Sequence, residues 1–525
     1  MKHSCDYVII GSGFGGSVSA LRLAEKGYKV LVLEKGKWYH SEDFPKSNWR
    51  LNKWLWEPKL RFFGIMKMSF FRHVTILSGT GVGGGSLVYA NTLPLPKAAF
   101  FASGSWKKLA DWESELKPFY ALAHKMLGTA KNPRLFESDL ALKKLAEENG
   151  MAEHFEPTDV SVFFGEPGET VPDPYFGGKG PARTGCIFCG GCMTGCRHNA
   201  KNSLDKNYLH LAQQLGVEIL AEREVYGVAP LDGANGNGGY EVSFRSSTSF
   251  FKNKDSVTAK GVVFAGGVMG TVPLLLRLGR SSLPRLSERL GCDVRTNNES
   301  LIPVTHTGGS KDLSQGVAIG SILHTDSDSH LEPVRYSKGS GFWRWLLVPV
   351  VHGNNVFIRL LRMAGQWLSE PLTYFKLMFV KDWAKSTSVL LFMQHLDSTL
   401  RFSLGSLGFV KSTVEKGGKA PSAFIPRAGE LAEKYSRLLD ARPTAFFLEP
   451  LAGIPSTAHI LGGAVMGEDA SQGVIDKNNR VFGYENMLVC DGSMISANPG
   501  VNPSLTITAI AERAMSKVPQ KKGME

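Results

Sequence analysis

The apolar positions near the start of this chain fall into two rhythms. Asp6 to Ile10 is a short, mostly apolar, β-branched run that predicts a buried strand. After a glycine-rich stretch, the pattern VSALRLAEKG spaces its apolar residues for a helix, and KVLVLEKG then predicts a second strand ending on Glu34. Toward the other end, the apolar run NMLVC precedes Asp491-Gly492-Ser493, and a helix is expected from about Ser504. Between about Asn298 and Pro450 glycine patterning is sparse and large apolar residues are frequent, which marks this stretch off from both flanks. The fold class expected is α/β.

Glycine placement sharpens the first strand–helix–strand unit. Gly11-Ser12-Gly13-Phe14-Gly15-Gly16 reads G-x-G-x-x-G between strand and helix, and Glu34 lies 23 residues beyond the first glycine. Gly11 permits the tight turn, Gly13 lets the backbone approach a pyrophosphate, and Gly16 lets the helix pack on the strand. The helix N-terminus then offers unpaired N–H groups to the phosphates, and Glu34 accepts from a ribose hydroxyl. This is a dinucleotide site, and the motif alone does not distinguish FAD from NAD.

A second glycine run, Ser78 to Asn91 (SGTGVGGGSLVYAN), is too dense for a regular element and predicts a loop against something flat or charged. With the first motif, it resembles the second flavin-binding segment of the glucose–methanol–choline (GMC) oxidoreductases, and its wording is most similar to the cholesterol-oxidase-like branch. Further similar segments follow in order: Glu224 to Val228, Ala265 to Thr271, STAHILGGAVMG, and VCDGSMISANPGVNPSLTITAIAERA. The resemblance implies a Rossmann-like FAD-binding domain with a discontinuous sheet-and-helix (α+β) substrate domain. It divides the chain into 1–97, 205–297 and 453–525 for FAD, 98–204 as a cap with a cysteine array, and 298–452 over the flavin. It implies flavin or nucleotide contacts from Gly79, Gly83, Gly84, Asn91, Val225 and Asp491. Many relatives have asparagine where this chain has Tyr89, with Asn91 two residues later.

The resemblance also implies the reaction, oxidation of an alcohol by hydride transfer to the flavin. Such a reaction needs a group to take the hydroxyl proton, and a neutral imidazole suits it. His459 falls where the family has its active-site histidine, and Asn502 where relatives have histidine or asparagine. An asparagine amide can donate to the substrate oxygen while its carbonyl accepts. The substrate expected is a lipophilic alcohol, with a sterol 3-hydroxyl as the first reading and a long-chain alcohol as the second. Sterol oxidases of this branch carry an isomerisation glutamate. Glu332 is the nearest acid in the corresponding region, but its flanking residues do not match. A flavin electron carrier without its own substrate is a reading of a different class, in which His459 would be expendable.

Composition adds two questions. Of seven cysteines, four lie in C-x2-C-x2-C-x3-C spacing: Cys186, Cys189, Cys192 and Cys196. The spacing is that of bacterial ferredoxins and points to one [4Fe–4S] or [3Fe–4S] cluster passing electrons to an acceptor, with zinc and an unmetallated loop as the alternatives. Arg197 stands where such arrays usually have proline. The net charge is +12, yet there is no nucleic-acid motif or long block of like charge, so nucleic acid is not expected as a partner. Two stretches, NWRLNKWLWEPKLRFFGIMKMSFF and FWRWLLVPVVHGNNVFIRLLRMAGQWL, mix arginine and tryptophan with leucine runs. They read either as core or as a surface resting in a membrane interface. A strand starting almost at the first residue leaves no room for a signal peptide. No apolar stretch is long enough to span a bilayer. The expected location is the cytoplasm, with peripheral membrane contact as the variant.

Overall fold

The computed structural model describes residues 4–351, 355–415 and 418–523. Two sheets organise the chain. The first is built on strand Ser4–Ile10, which runs parallel to Val30–Leu33 on one side and to Lys254–Phe264 on the other. Glu218–Leu220 extends the parallel set beyond Val30–Leu33, and Met487–Val489 pairs with the end of Lys254–Phe264. Val8, Ile9 and Val32 are inaccessible to solvent because both faces are covered, the usual fate of parallel strands. An antiparallel pair, Arg223–Pro230 with Tyr240–Ser246, is added through the first half of Lys254–Phe264.

Helix Phe14–Glu25 packs on this sheet beside the C-terminal helix Ser504–Ser516, which brings the two ends of the chain together. Arg22 and Glu512, 490 residues apart, close that contact at 2.7 Å, and Tyr208 Oη donates to Glu512 at 2.6 Å. The helix passes so near the strand ends that a Cβ on Gly15 would lie 1.6 Å from the Cys490 carbonyl oxygen. The glycine therefore permits the helix-on-sheet approach itself.

The second sheet has seven strands, all antiparallel, in the order Leu347–Pro349, Ala441–Phe446, Ser300–His306, Thr387–Gln394, Ser329–Val334, Ser321–His324, Phe155–Pro157. Both its faces are apolar. Ile302, Val304, Leu331, Leu390 and Phe392 pack under helices Glu137–Glu148 and Pro426–Leu438. The alternate residues Leu301, Val334, Val389 and Leu391 face a cavity against the first sheet. The cores are thus layered as helices, antiparallel sheet, cavity and parallel sheet. Among the described residues no helix is long and apolar enough to cross a membrane.

One buried ion pair locks the helical layer to the sheet. Arg335, just past strand Ser329–Val334, donates to Asp139 at 2.7 Å, and neither side chain is exposed. Asp139 also accepts from Ser321 Oγ and Phe136 N, while Arg335 reaches the Gln315 carbonyl. Asp139→Ala leaves the guanidinium buried without its counter-charge. The expected cost is about 3–5 kcal/mol, read as a lower urea midpoint for the transition that unfolds the antiparallel sheet.

Candidate active site

A cavity of about 610 Å³ lies between the two sheets. Five parts of the chain form its wall. Gly11, Gly13 and Glu34 come from the first strand–helix–strand unit, and Gly79, Gly84 and Tyr89 from the second glycine run. Arg223 and Val225 come from the added strand pair, near Gly266 and Gly267. His459, Asp491, Asn502 and the start of helix Ser504–Ser516 come from the C-terminal part. The cavity face of the antiparallel sheet closes it with Leu301, Val334, Val389 and Leu391.

The two glycine loops touch backbone to backbone. Gly11 has φ +102°, and a Cβ there would meet the Ala265 carbonyl oxygen at 2.5 Å; one on Gly84, at φ +53°, would meet Gly13 Cα at 2.7 Å. The wall at this point is bare peptide. No side chain caps helix Phe14–Glu25, so its first N–H groups are left to the cavity, with Lys35 and Arg277 also in the wall. Helix Ser504–Ser516 likewise has no side-chain cap. Two uncapped helix N-termini and a cradle without Cβ atoms fit the pyrophosphate and the electron-accepting ring of FAD.

The polar centre of the site is a pair that the chain brings together from 160 residues apart. Glu299 Oε1 lies 2.9 Å from His459 Nδ1. Thr457 Oγ1 donates to the same Glu299 oxygen at 2.6 Å, and Ala458 N donates to Oε2 at 3.2 Å. Burial by itself would raise the Glu299 pKa. The facing imidazole and these two donors outweigh it and hold the carboxyl below its ordinary range. Burial also opposes charge on His459, but the Glu299 carboxylate, with Glu332 farther off, outweighs that and lifts the imidazole above its ordinary pKa. Because Glu299 accepts from Nδ1–H, the other ring nitrogen is left as the acceptor. Asn502 is anchored in a similar way: its Nδ2 donates to buried Glu332 at 3.4 Å, and its Oδ1 has no partner among the described residues. Glu332 lies 3.4 Å from His330 Nε2, within ion-pair range but without hydrogen-bond geometry.

Comparison with known proteins agrees with this architecture. Residues 182–294 and 411–511 match family models described as GMC oxidoreductase, and residues 9–39 match an NAD(P)-binding Rossmann-like domain. A cholesterol oxidase of Acinetobacter baumannii is 44% identical over 100% of this chain and 96% of its own length. The chain belongs to the GMC oxidoreductase family. It is an FAD-dependent oxidoreductase acting on CH–OH donors. A cholesterol oxidase of Mycobacterium tuberculosis is also 44% identical, over 99% of this chain and 92% of its own. A long-chain-alcohol oxidase of Arabidopsis thaliana is 25% identical over 98% of this chain and 67% of its own. Pyridoxine 4-oxidase from Mesorbium loti shares the fold, with a TM-score of 0.63 at 15% identity over 98% of this chain and 99% of that one.

Seven of the ten residues expected at the cofactor border the cavity of this GMC oxidoreductase. Two of them, Glu34 and Asp491, have their carboxylates already engaged, and Gly16, Gly83 and Asn91 stand elsewhere. Glu34 lines it while holding Ser12 N, Ser12 Oγ and Gly36 N. Asp491 lines it too, but both its oxygens are occupied by Ser493, Thr271 Oγ1 and Gly267 N, so it pins two turns together. Burial pushes its pKa up despite those donors. Gly16 and Gly83 are set behind the wall: a Cβ on Gly16 would meet the Gly11 carbonyl oxygen at 2.1 Å, and Gly83 N donates to Ser12 Oγ. Asn91 is buried at φ +73°, both its amide atoms lack a partner, and Tyr89 occupies the cavity wall in its place.

The cysteine array departs from expectation. Cys186, Cys189, Cys192 and Cys196 surround a separate hollow of only about 20 Å³, room for about one water. Among the described residues no three histidine, cysteine or acidic side chains converge so as to hold a metal ion. Burial raises the pKa of the Cys186 and Cys189 thiols, and that of Cys192 to about 11. The sequence spacing suits an iron–sulfur cluster, but this geometry does not. The array instead packs as part of a small apolar cluster with Val160, Val162, Ala200 and Val317. The Lys201 ammonium fastens it to the flavin-side loop by donating to the carbonyls of Cys192, Leu87 and Tyr89.

Glu299 was absent from the residues singled out in the sequence. It sits in the run TNNES with no motif around it, and only its pairing with His459 reveals it.

Proposed function

We propose that this enzyme oxidises the 3-hydroxyl of a sterol, or a closely related lipophilic alcohol, to the ketone, with His459 as the base. The observation that carries the reading is the Glu299–His459 pair set in a cavity whose far wall is an apolar sheet face. FAD, when bound, supplies the hydride acceptor. Everything else falls to the chain. Leu301, Val334, Val389 and Leu391 exclude water and take up an apolar ring system. Asn502, fixed through Nδ2 by Glu332, offers its second N–H to the substrate oxygen. His459 accepts the hydroxyl proton on the nitrogen not held by Glu299 and stores it as an imidazolium beside a carboxylate.

In this reading 1–97, 205–297 and 453–525 hold the cofactor, and 298–452 covers the substrate. Dioxygen is the acceptor: alcohol and oxygen give ketone and hydrogen peroxide, with both electrons and both protons accounted for. Relatives described as cholesterol oxidases support both the sterol and oxygen as the acceptor.

The test is an anaerobic titration of the holoenzyme with a 3β-hydroxysterol, followed in the flavin absorbance. Bleaching, with peroxide released when air is admitted, is expected. An unbleached flavin that a long-chain primary alcohol does bleach would move the substrate to the class of the long-chain-alcohol oxidases.

A further inference from the structure

Helices in globular proteins turn their apolar stripe inward and their charges outward. Helix Val356–Ser369 does the reverse, and its neighbour Pro371–Met378, which buries Leu377, also carries an apolar stripe outward. In the first helix the side chain turned into the protein is Arg359, only 8% exposed, whose guanidinium donates to the carbonyls of Pro450 and Leu451. The residues turned out are Phe357, Leu361 and Leu368, at 70%, 59% and 82% exposure. Their spacing of four and then seven places them on one stripe. In the second helix Leu372 and Phe375, followed by Phe379 just past its end, form a matching stripe at 74%, 62% and 54% exposure. Trp345 adds an exposed ring edge-on to Phe379, and Trp367 stacks on Tyr374.

An exposed apolar face of this extent marks a contact surface. Its surroundings say with what. From Lys338 to Asp382 the chain carries five lysines and arginines besides the buried Arg359, against two acids. Glu370 pairs with Arg442 at 3.6 Å, and Asp382 accepts from Gly339 N. Cations and interfacial tryptophans around a projecting apolar face complement an anionic lipid surface. The pair is also joined directly to the cavity wall. Phe342, Trp343 and Leu346, just ahead of it in the chain, line the cavity, Phe447 N donates to the Leu346 carbonyl, and Arg359 grips the helix that starts at Leu448.

We infer that this helical pair docks the enzyme on an anionic phospholipid bilayer, seating the cavity wall at the membrane so that a lipophilic alcohol passes from lipid to active site. The docking deepens the lipophilic-alcohol reading and rests on it for its purpose, but its test needs no substrate.

The full-length holoenzyme is floated in a density gradient with phosphatidylcholine vesicles containing phosphatidylglycerol, and with vesicles of phosphatidylcholine alone. The wild type is expected to rise with the anionic vesicles. F357E/L361E/L368E is expected to lose at least about tenfold in bound fraction, and K376E/K381E is expected to lose most of the preference for phosphatidylglycerol. All five positions are exposed and outside the active site. Reduction of the flavin by a detergent-dispersed alcohol substrate therefore stays within about twofold of wild type, while turnover of the same alcohol embedded in vesicles falls with binding. Wild-type protein that stays at the bottom of both gradients overturns the inference. So does a wild-type dimer that F357E/L361E/L368E converts to monomer, because a second copy would then cover this face. A failed sterol titration with intact flotation would dismiss the substrate and keep the docking surface.

Discussion

Replacing His459 by alanine is expected to lower substrate-driven flavin reduction by about 10²- to 10⁴-fold, the range that a positioned acid–base group contributes. The loss should fall on the reductive step measured under single-turnover conditions. FAD content and the visible spectrum should remain those of wild type, because the glycine loops and uncapped helix ends that fit FAD do not depend on the imidazole. The imidazole borders the cavity and is backed by a buried carboxylate. Gln at the same position keeps the volume but cannot take a proton, and it should be nearly as slow as alanine. An unchanged reduction rate in His459→Ala would remove this residue from the chemistry.

Glu299→Gln is expected to cost about tenfold to a hundredfold in kcat/KM and to move its pH profile. The magnitude follows from a hydrogen bond to a charged group, about 1.5–3 kcal/mol. Glu299 accepts from three donors, Thr457 Oγ1, Ala458 N and His459 Nδ1, and a glutamine amide would turn its NH₂ toward one of them. The direction of the pH effect follows from the charge. In the wild type Glu299 lifts the His459 pKa above the ordinary imidazole value. Only the neutral ring can accept the hydroxyl proton. Activity is therefore low below that raised pKa and rises through it as pH increases. Neutralising Glu299 removes the main stabiliser of the imidazolium, so the acidic limb should shift to lower pH even as the maximum falls. A residue with a purely structural role would lower the maximum and leave the limb where it is. Glu299→Asp, which keeps the charge, should restore part of the limb position. A limb that does not move in Glu299→Gln would refute Glu299 as the residue that positions and tunes His459.

The two predictions differ in how their residues could be found. His459 was readable because it lies in a segment, STAHILGGAVMG, similar to the family's own. Glu299 was not, since an isolated acid in a polar run has many equivalent roles until its partner is known. The same division runs through the surface. Of the two stretches rich in tryptophan and arginine, the first divides, with Trp54, Trp56, Ile65 and Met66 buried and Trp49, Leu60 and Phe70 exposed. The second projects Trp345, Phe357, Leu361 and Leu368 outward. Composition and periodicity were alike in both, because an amphipathic pattern says that two faces differ and not which one turns inward.

By itself the sequence determined the α/β class and a dinucleotide site, while FAD and the reaction class came from its resemblance to the GMC oxidoreductases. The class and the site rest on the turns at Gly11 and Gly13, the loop at Gly84 and the strand–helix order. Each is a local demand on φ, on Cβ-free approach or on hydrophobic period, satisfied within a few tens of residues. Tertiary structure alone decided that Glu299 meets His459 across 160 residues and that Glu332 holds Asn502 across 170. It also decided that Tyr89 takes the wall position instead of Asn91, and that the four cysteines ring a hollow too small for a cluster. In each case the outcome depends on which strands become neighbours in the antiparallel sheet and how closely two loops pack. Spacing along the chain does not encode such contacts, because closing a long loop is cheap in entropy and leaves many partners open until the cores are packed.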